Sequence, residues 1–180
     1  MRKKRIKRAI AALIVLLAIA ALMLNLNRII ASRYEILGAD VSHWQGDVDF
    51  SLLEQQGVRF AFIKATEGSA HVDKKFEENL ARVQETDMKF GFYHFFSFDS
   101  PGEMQAENYI ARVPAFENLL PPVIDVEYYG DYFRHPPEIE PVQAQLRAMI
   151  DRLEAHYGKK PILYATQRAY RRYIQGAFDD

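Results

Sequence analysis

Cysteine is absent from the 180-residue chain. Disulfides, thiolate metal ligands and a thiol nucleophile are therefore excluded. A cysteine-free chain can still be exported, but its fold must then rest on its core. No Gly-x-Gly-x-x-Gly, P-loop or Gly-x-Ser-x-Gly sequence occurs. Nucleotide cofactors and serine-hydrolase chemistry are left without support, and no cofactor is expected. The five histidines include no His-x-x-x-His pair, so no metal is expected either. Acidic residues are missing from positions 1–33, which hold eight of the 23 Lys/Arg. Positions 34–180 thus carry 15 Lys/Arg against 24 Asp/Glu, and the net charge of −1 hides a basic leader and an acidic body. An acidic body argues against a nucleic-acid partner, because phosphate binding needs a cationic surface.

What is present divides into two domains. In the leader, residues 1–33, Arg2, Lys3, Lys4, Arg5, Lys7 and Arg8 precede an apolar run over residues 9–24. Its 16 residues fall between a signal-peptide core and a spanning helix of about 17–25 residues. The reading is an N-terminal hydrophobic helix that serves as a membrane anchor, or as a signal segment cleaved near Ala18-Ile19-Ala20. The positive-inside rule keeps the basic end in the cytoplasm and turns the acidic body outward. The body, residues 34–180, is 49% apolar when averaged with the leader, enough for a real core.

From residue 37 onward, short β-type segments alternate with helical ones. Strands are predicted at 37–41, 59–65, 89–96, 122–126 and 161–165, each rich in Val, Ile, Phe or Tyr and bounded by turn residues. Ser51-x-x-Glu54 reads as a capping box and Gly57 as a stop. Helices are predicted over 73–86, through Ala106, Tyr109, Ile110 and Val113, from Pro141 at a first helical position to Gly158, and after Thr166. Five strand–helix units in series predict a parallel sheet, closed or open. In either form, chemistry collects at the C-terminal ends of the strands.

Those ends bring forward Asp40, Ser42, His43, Trp44 and Gln45; Lys64, Thr66 and Glu67; Tyr93, His94, Phe95 and Phe96; Asp125, Glu127, Tyr128 and Tyr129; and Tyr164, Thr166 and Gln167. Carboxylates and aromatics on one rim suit a sugar. Asp125-Val126-Glu127 is the most informative trio. Residues i and i+2 of a strand share a face, with Cα atoms about 6.5–7 Å apart. Two carboxylates that close hold a proton to higher pH than either alone, which a glycosidase general acid requires. A solvated pair or an ion pair with arginine is the plainer alternative. Asp40 could equally cap a turn, Trp44 could pack on the rim rather than hold a sugar, and Lys64 could pair structurally with Glu67 or Asp40.

Asp40-Val-Ser-His-Trp-Gln-Gly46, Phe62-Ile-Lys-Ala-Thr-Glu-Gly68, Gly91-Phe-Tyr-His-Phe-Phe96 and Val123-Ile-Asp-Val-Glu127 resemble, in order and spacing, four motifs of the family 25 glycoside hydrolases, the lysozyme-type muramidases. The resemblance covers about residues 36–180. It implies a TIM-like irregular (β/α) barrel that cleaves the β-1,4 bond between N-acetylmuramic acid and N-acetylglucosamine in peptidoglycan, at the bacterial cell envelope. Glu127 would be general acid/base, Asp125 would assist through the substrate's N-acetyl group, and Asp40 would be a further active-site carboxylate. Tyr93, Glu67, Trp44, His94, Tyr129 and Tyr164 are the expected substrate-binding residues. Family members usually continue with three more strands, so the resemblance implies an incomplete barrel of about five βα units. A non-catalytic peptidoglycan-binding relic of the same stock is the alternative.

Overall fold

The computed structural model describes residues 13–15, 19, 22, 33–115 and 118–178. The chain divides into two units, Met1–Leu37 and Gly38–Asp180. In the first, Leu13–Val15, Ile19 and Leu22 are helical and exposed. The rest of the apolar run over residues 9–24, expected to be an anchor or signal, lies outside the described residues. Among the described residues, no helix is long and apolar enough to cross a membrane.

The second unit is an α/β fold on one curled sheet. Its strands are β1 (Leu37–Val41), β2 (Val58–Glu67), β3 (His71–Val72), β4 (Lys89–Phe95), β5 (Val123–Val126) and β6 (Ile162–Ala165). They run in the order β1-β2-β4-β5-β6. β2, β4, β5 and β6 pair in parallel, and β3 pairs antiparallel with β2. The helices are α1 (Phe50–Gln55), α2 (Phe76–Val83), α3 (Gly102–Ile110), α4 (Ile139–Tyr157) and α5 (Gln167–Ala169), the last running into a π-helical turn, Tyr170–Ile174.

Alternation along each strand separates two faces. One face buries Ala61, Ile63, Ala65, Phe92, Ile124 and Val126 against Phe76, Tyr109, Leu146 and Leu153 of the helices. The other carries Phe60, Phe62, Tyr93, Val123 and Ile162, which line a concavity with residues of both edge strands. The space beside Gly38 is taken by the Phe60 ring of the neighbouring strand. A Cβ there would lie 2.1 Å from the Phe60 ring.

Several local expectations are corrected. α1 is capped by Asp49, whose Oδ1 accepts from Leu52 N at 2.8 Å. Glu54 does not close a box with Ser51; it accepts the Asp87 N–H at 3.0 Å. The reciprocal box forms at Ser42 and Gln45. Pro141 is the third residue of α4, not the first. It is tolerated there because the first four N–H groups of a helix have no intrahelical partner. Gly158 ends α4 in the left-handed conformation, φ +64°, as expected of a C-terminal glycine. Thr166 precedes α5 without a side-chain cap. β3 was not foreseen: two residues give too little pattern to read.

Phe92 is fully buried and meets Phe76 edge-on at 5.3 Å. Phe92→Ala is expected to lower stability by about 3–5 kcal/mol, read as a reduced urea midpoint.

Candidate active site

The concavity has a volume of ≈ 360 Å³ and is lined by Gly38, Ala39, Asp40, Phe60, Phe62, Tyr93, Val123, Asp125, Ile162 and Tyr164. Its floor is apolar and its polar groups come from strand ends. Asp40 stands two residues beyond Gly38 on β1, Asp125 two beyond Val123 on β5, and Tyr164 two beyond Ile162 on β6. Each therefore keeps the inward side of its strand. Glu127 lies just past β5, two residues beyond Asp125.

These acids influence one another. Burial pushes Asp125 up to about 7, and the charges of Glu127 and Asp40 push the same way, while the Lys64 ammonium opposes them. Burial, then Asp40, also raises Glu127. Asp125 Oδ1 is buried without a hydrogen-bond partner. Tyr93 is raised by burial and by Asp125, with the Ser42 hydroxyl opposing. Tyr164 is raised by burial, then Glu127, Asp125 and Asp40, and leaves 58% of its surface exposed. The arrangement holds a proton near neutral pH between carboxylates, above a floor that suits the apolar face of a sugar ring.

Lys64 is buried, at 6% exposure. Its Nζ donates to Glu67 Oε2 at 2.7 Å and lies 4.8 Å from the Phe95 ring centroid. On a regular strand, residues three apart face opposite ways. Here the register shifts between Lys64 and Thr66, and this irregularity brings both charges to one side. The Glu67 carboxylate is thus first an ion-pair partner, though its side chain remains 41% exposed. Lys64, set aside by sequence as structural, also acts on Asp125, lowering its pKa against the effect of burial.

One expected substrate contact is corrected, and a second has its hydroxyl committed elsewhere. His94 follows Tyr93 on β4 and so faces the helices. It is fully buried. Its Nδ1 meets Thr66 Oγ1 at 2.8 Å, and its Nε2 donates to Gln105 Oε1 at 3.0 Å. Burial lowers its pKa to about 4. It is a neutral core histidine with no access to substrate. Tyr129 has its hydroxyl engaged: it accepts from Phe98 N at 3.0 Å, meets Ser97 Oγ at 3.1 Å and donates to Asp99 Oδ2 at 2.9 Å. Its ring stacks on Phe98. Its role is to join the loop after β4 to the loop after β5.

Trp44 is 81% exposed on the 3₁₀ turn His43–Gln45 after β1, outside the residues lining the concavity. The sequence missed the Phe60/Phe62 floor and the buried Asp73. Phe60 and Phe62 alternate with Ala61 and Ile63, so both faces of β2 are apolar. Such a pattern signals a strand covered on both sides. Asp73 gives no such sign. Among the described residues, no group of three or more His, Asp or Glu side chains is placed to hold a metal ion.

Comparison with known proteins agrees with this fold. The family description "Glycosyl hydrolases family 25" matches residues 39–180. The structure is similar to that of a family 25 glycosyl hydrolase from Bacillus anthracis. The TM-score is 0.80 and the identity 56%, over 82% of this chain and 68% of that one. The sequence is 32% identical over 156 residues to the uncharacterised protein YegX of Escherichia coli O6:H1, covering 84% of this chain and 56% of that protein. It is 35% identical over 97 residues to lysozyme M1 of Streptomyces globisporus, covering 52% of this chain and 33% of that protein. The chain thus spans about half the length, or less, of these two relatives.

The raised Asp125 sets a pH dependence. As pH rises from about 4 to about 7, the unfolded chain releases this proton while the folded site retains it. Folding stability falls across that window and the loss levels off above it. Asp125→Asn removes this component. The variant's urea midpoint, relative to the parent's, is expected to rise between pH 4 and pH 7; a constant difference would contradict the burial of this charge.

Proposed function

The chain belongs to glycosyl hydrolase family 25, and on that premise we propose that it is a muramidase, with Glu127 as general acid/base and Asp125 assisting. The substrate is the β-1,4 bond between N-acetylmuramic acid and N-acetylglucosamine in peptidoglycan. The observation that carries this reading is Asp125 in the lining of the concavity, with its Oδ1 buried and unpartnered and the Glu127 charge acting on it. The name of the Streptomyces relative, a lysozyme, supports the same substrate class.

In the proposed reaction, Glu127 protonates the leaving glycosidic oxygen. The 2-acetamido carbonyl oxygen attacks the anomeric carbon as that bond breaks, giving a cyclic oxazolinium. Asp125 accepts a hydrogen bond from the acetamido N–H. A donor placed against Oδ1 favours the ionised carboxylate, whose negative charge stabilises the positive charge that develops on the ring. Glu127, now ionised, takes a proton from water, and the water oxygen opens the ring intermediate at the anomeric carbon. Two carboxylates two residues apart on one strand side leave little room for an inverting water between them. Asp40 is the third carboxylate, whose charge adds to burial in raising Glu127. Tyr93 and Tyr164 line the sugar site, and Glu67, paired with Lys64, stands at its edge. The domain works on the bacterial cell envelope, held or delivered there by residues 1–33 with 9–24 in the membrane.

Suspended cell walls should clear with the parent chain, and Glu127→Gln should slow clearing by about 100-fold or more. Undiminished lysis by the variant would remove Glu127 from its role. Wall binding by the parent without lysis would favour the non-catalytic reading. NMR of the first product should show the retained anomer; an inverted one rejects acetamido assistance.

A further inference from the structure

Lys64 is a buried cation in a site built from carboxylates, and the parity of its strand puts it there. Phe60 and Phe62 line the concavity. Lys64 is two residues further along β2 and keeps the same side. Across β2 and β4 it is the register partner of Tyr93, itself a lining residue. One row nearer the strand ends, Glu67 pairs with Phe95, and Phe95 pairs with Asp125. The Lys64 ammonium is anchored to that row at two points. Nζ donates to Glu67 Oε2 at 2.7 Å and lies 4.8 Å from the Phe95 ring centroid. The ring that it covers thus belongs to the register neighbour of Asp125.

Burying an ammonium is costly unless it is paired and hydrogen-bonded. Even then such a pair is weak evidence for stability, since apolar side chains of similar volume serve a core as well. What Lys64 adds, and an apolar residue could not, is positive charge beside the acids. The position of that charge matters as much as its sign. Its hydrogen bond goes to Glu67, while Asp125 Oδ1 is left without a partner. That oxygen therefore stays open to an acetamido N–H.

We propose that Lys64 is a positioning residue of the reaction that acts through Asp125: anchored by Glu67, its ammonium favours the ionised carboxylate that faces the developing oxazolinium, without occupying Oδ1. The chemical role rests on the muramidase reading; the link between Lys64 and Asp125 does not. Around Asp125 stand Asp40 of β1, Lys64 of β2, Tyr93 of β4, Glu127 beyond β5 and Tyr164 of β6. Burial, then Glu127 and Asp40, favour the protonated acid, and Lys64 opposes them. Without the ammonium, Asp125 keeps its proton to higher pH. Fewer molecules then combine an ionised Asp125 with a protonated Glu127, the pair of states that the reaction requires. The deficit lies on the acid side of the rate profile. On the alkaline side Asp125 is ionised with or without Lys64.

Two readouts on the full chain test this. In a carboxyl-carbon NMR titration, Lys64→Met is expected to move the Asp125 midpoint upward. Glu67→Gln keeps an acceptor for Nζ but removes the countercharge, and should move it downward. A merely loosened fold would admit water to Asp125 and lower the midpoint in both. The Glu67 side chain is 41% exposed, so Glu67→Gln reads the link even where Lys64→Met fails to fold. The second readout is the initial clearing of suspended cell walls by Lys64→Met, as a ratio to the parent at each pH. It should be slower by about three- to tenfold at pH 5 to 6 and approach the parent rate above pH 8. Midpoints that stay where they are in the parent, or a rate loss of equal size at every pH, overturn the proposal. If the parent clears no walls, the muramidase reading falls, and the two midpoints still decide whether Lys64 acts on Asp125.

Discussion

Three carboxylates that would stay well apart in water, Asp40, Asp125 and Glu127, are held at one end of a curled sheet by the alternation of side chains along β1 and β5. Both strands bury apolar residues on the helix face, Val41 on one and Ile124 and Val126 on the other. A slip of one residue in either would turn its acid into the helix layer. The position of the acids is thus enforced by the core. Crowding and burial then raise Asp125 and Glu127, and Lys64 limits the effect on Asp125. The site retains a proton because the fold leaves little solvent to stabilise a further negative charge.

The loops at that end are tied together by polar groups that do not take part in the chemistry. Gln105 accepts from Ser97 N and from His94, and its amide donates to Ser97 O and Ser100 O at 2.9 and 2.8 Å. With Thr66 on its other nitrogen, neutral His94 links β2, β4 and α3. Asp99 accepts from the hydroxyls of both Tyr129 and Tyr132. Phe98 sits among Tyr128, Tyr129, Tyr132 and Tyr173. This aromatic cluster fixes the segment after β5, and with it the backbone that carries Glu127. Preorganisation of this kind is what a reaction that develops charge in a dry site needs.

Much of this was legible before the fold was known. Val123–Val126 and Leu37–Val41 are strongly apolar between turn residues, and their acids follow by counting. The parallel sheet followed from serial strand–helix units. His94 was misplaced because position at a strand end was read without its parity. Tyr93 and His94 are neighbours, and only one of them can face inward. Tyr129 has a structural part that the sequence did not show: its hydroxyl is taken by Asp99, Ser97 and Phe98, thirty or so positions away, which no local pattern reveals. The ion pair of Lys64 with Glu67, one of the two pairings the sequence suggested, forms through a strand irregularity, and Asp73 depended on a two-residue strand. Both are products of tertiary packing.

The central claim is that Asp125 sits in a poorly solvated space within reach of the Glu127 and Asp40 charges, and carboxyl-carbon NMR titration of Asp125 tests it most directly. In the parent chain Asp125 should titrate near 7, and neutralising its neighbour by Glu127→Gln should move the midpoint downward. A midpoint in the ordinary aspartate range, or one indifferent to the charge at position 127, would contradict the account.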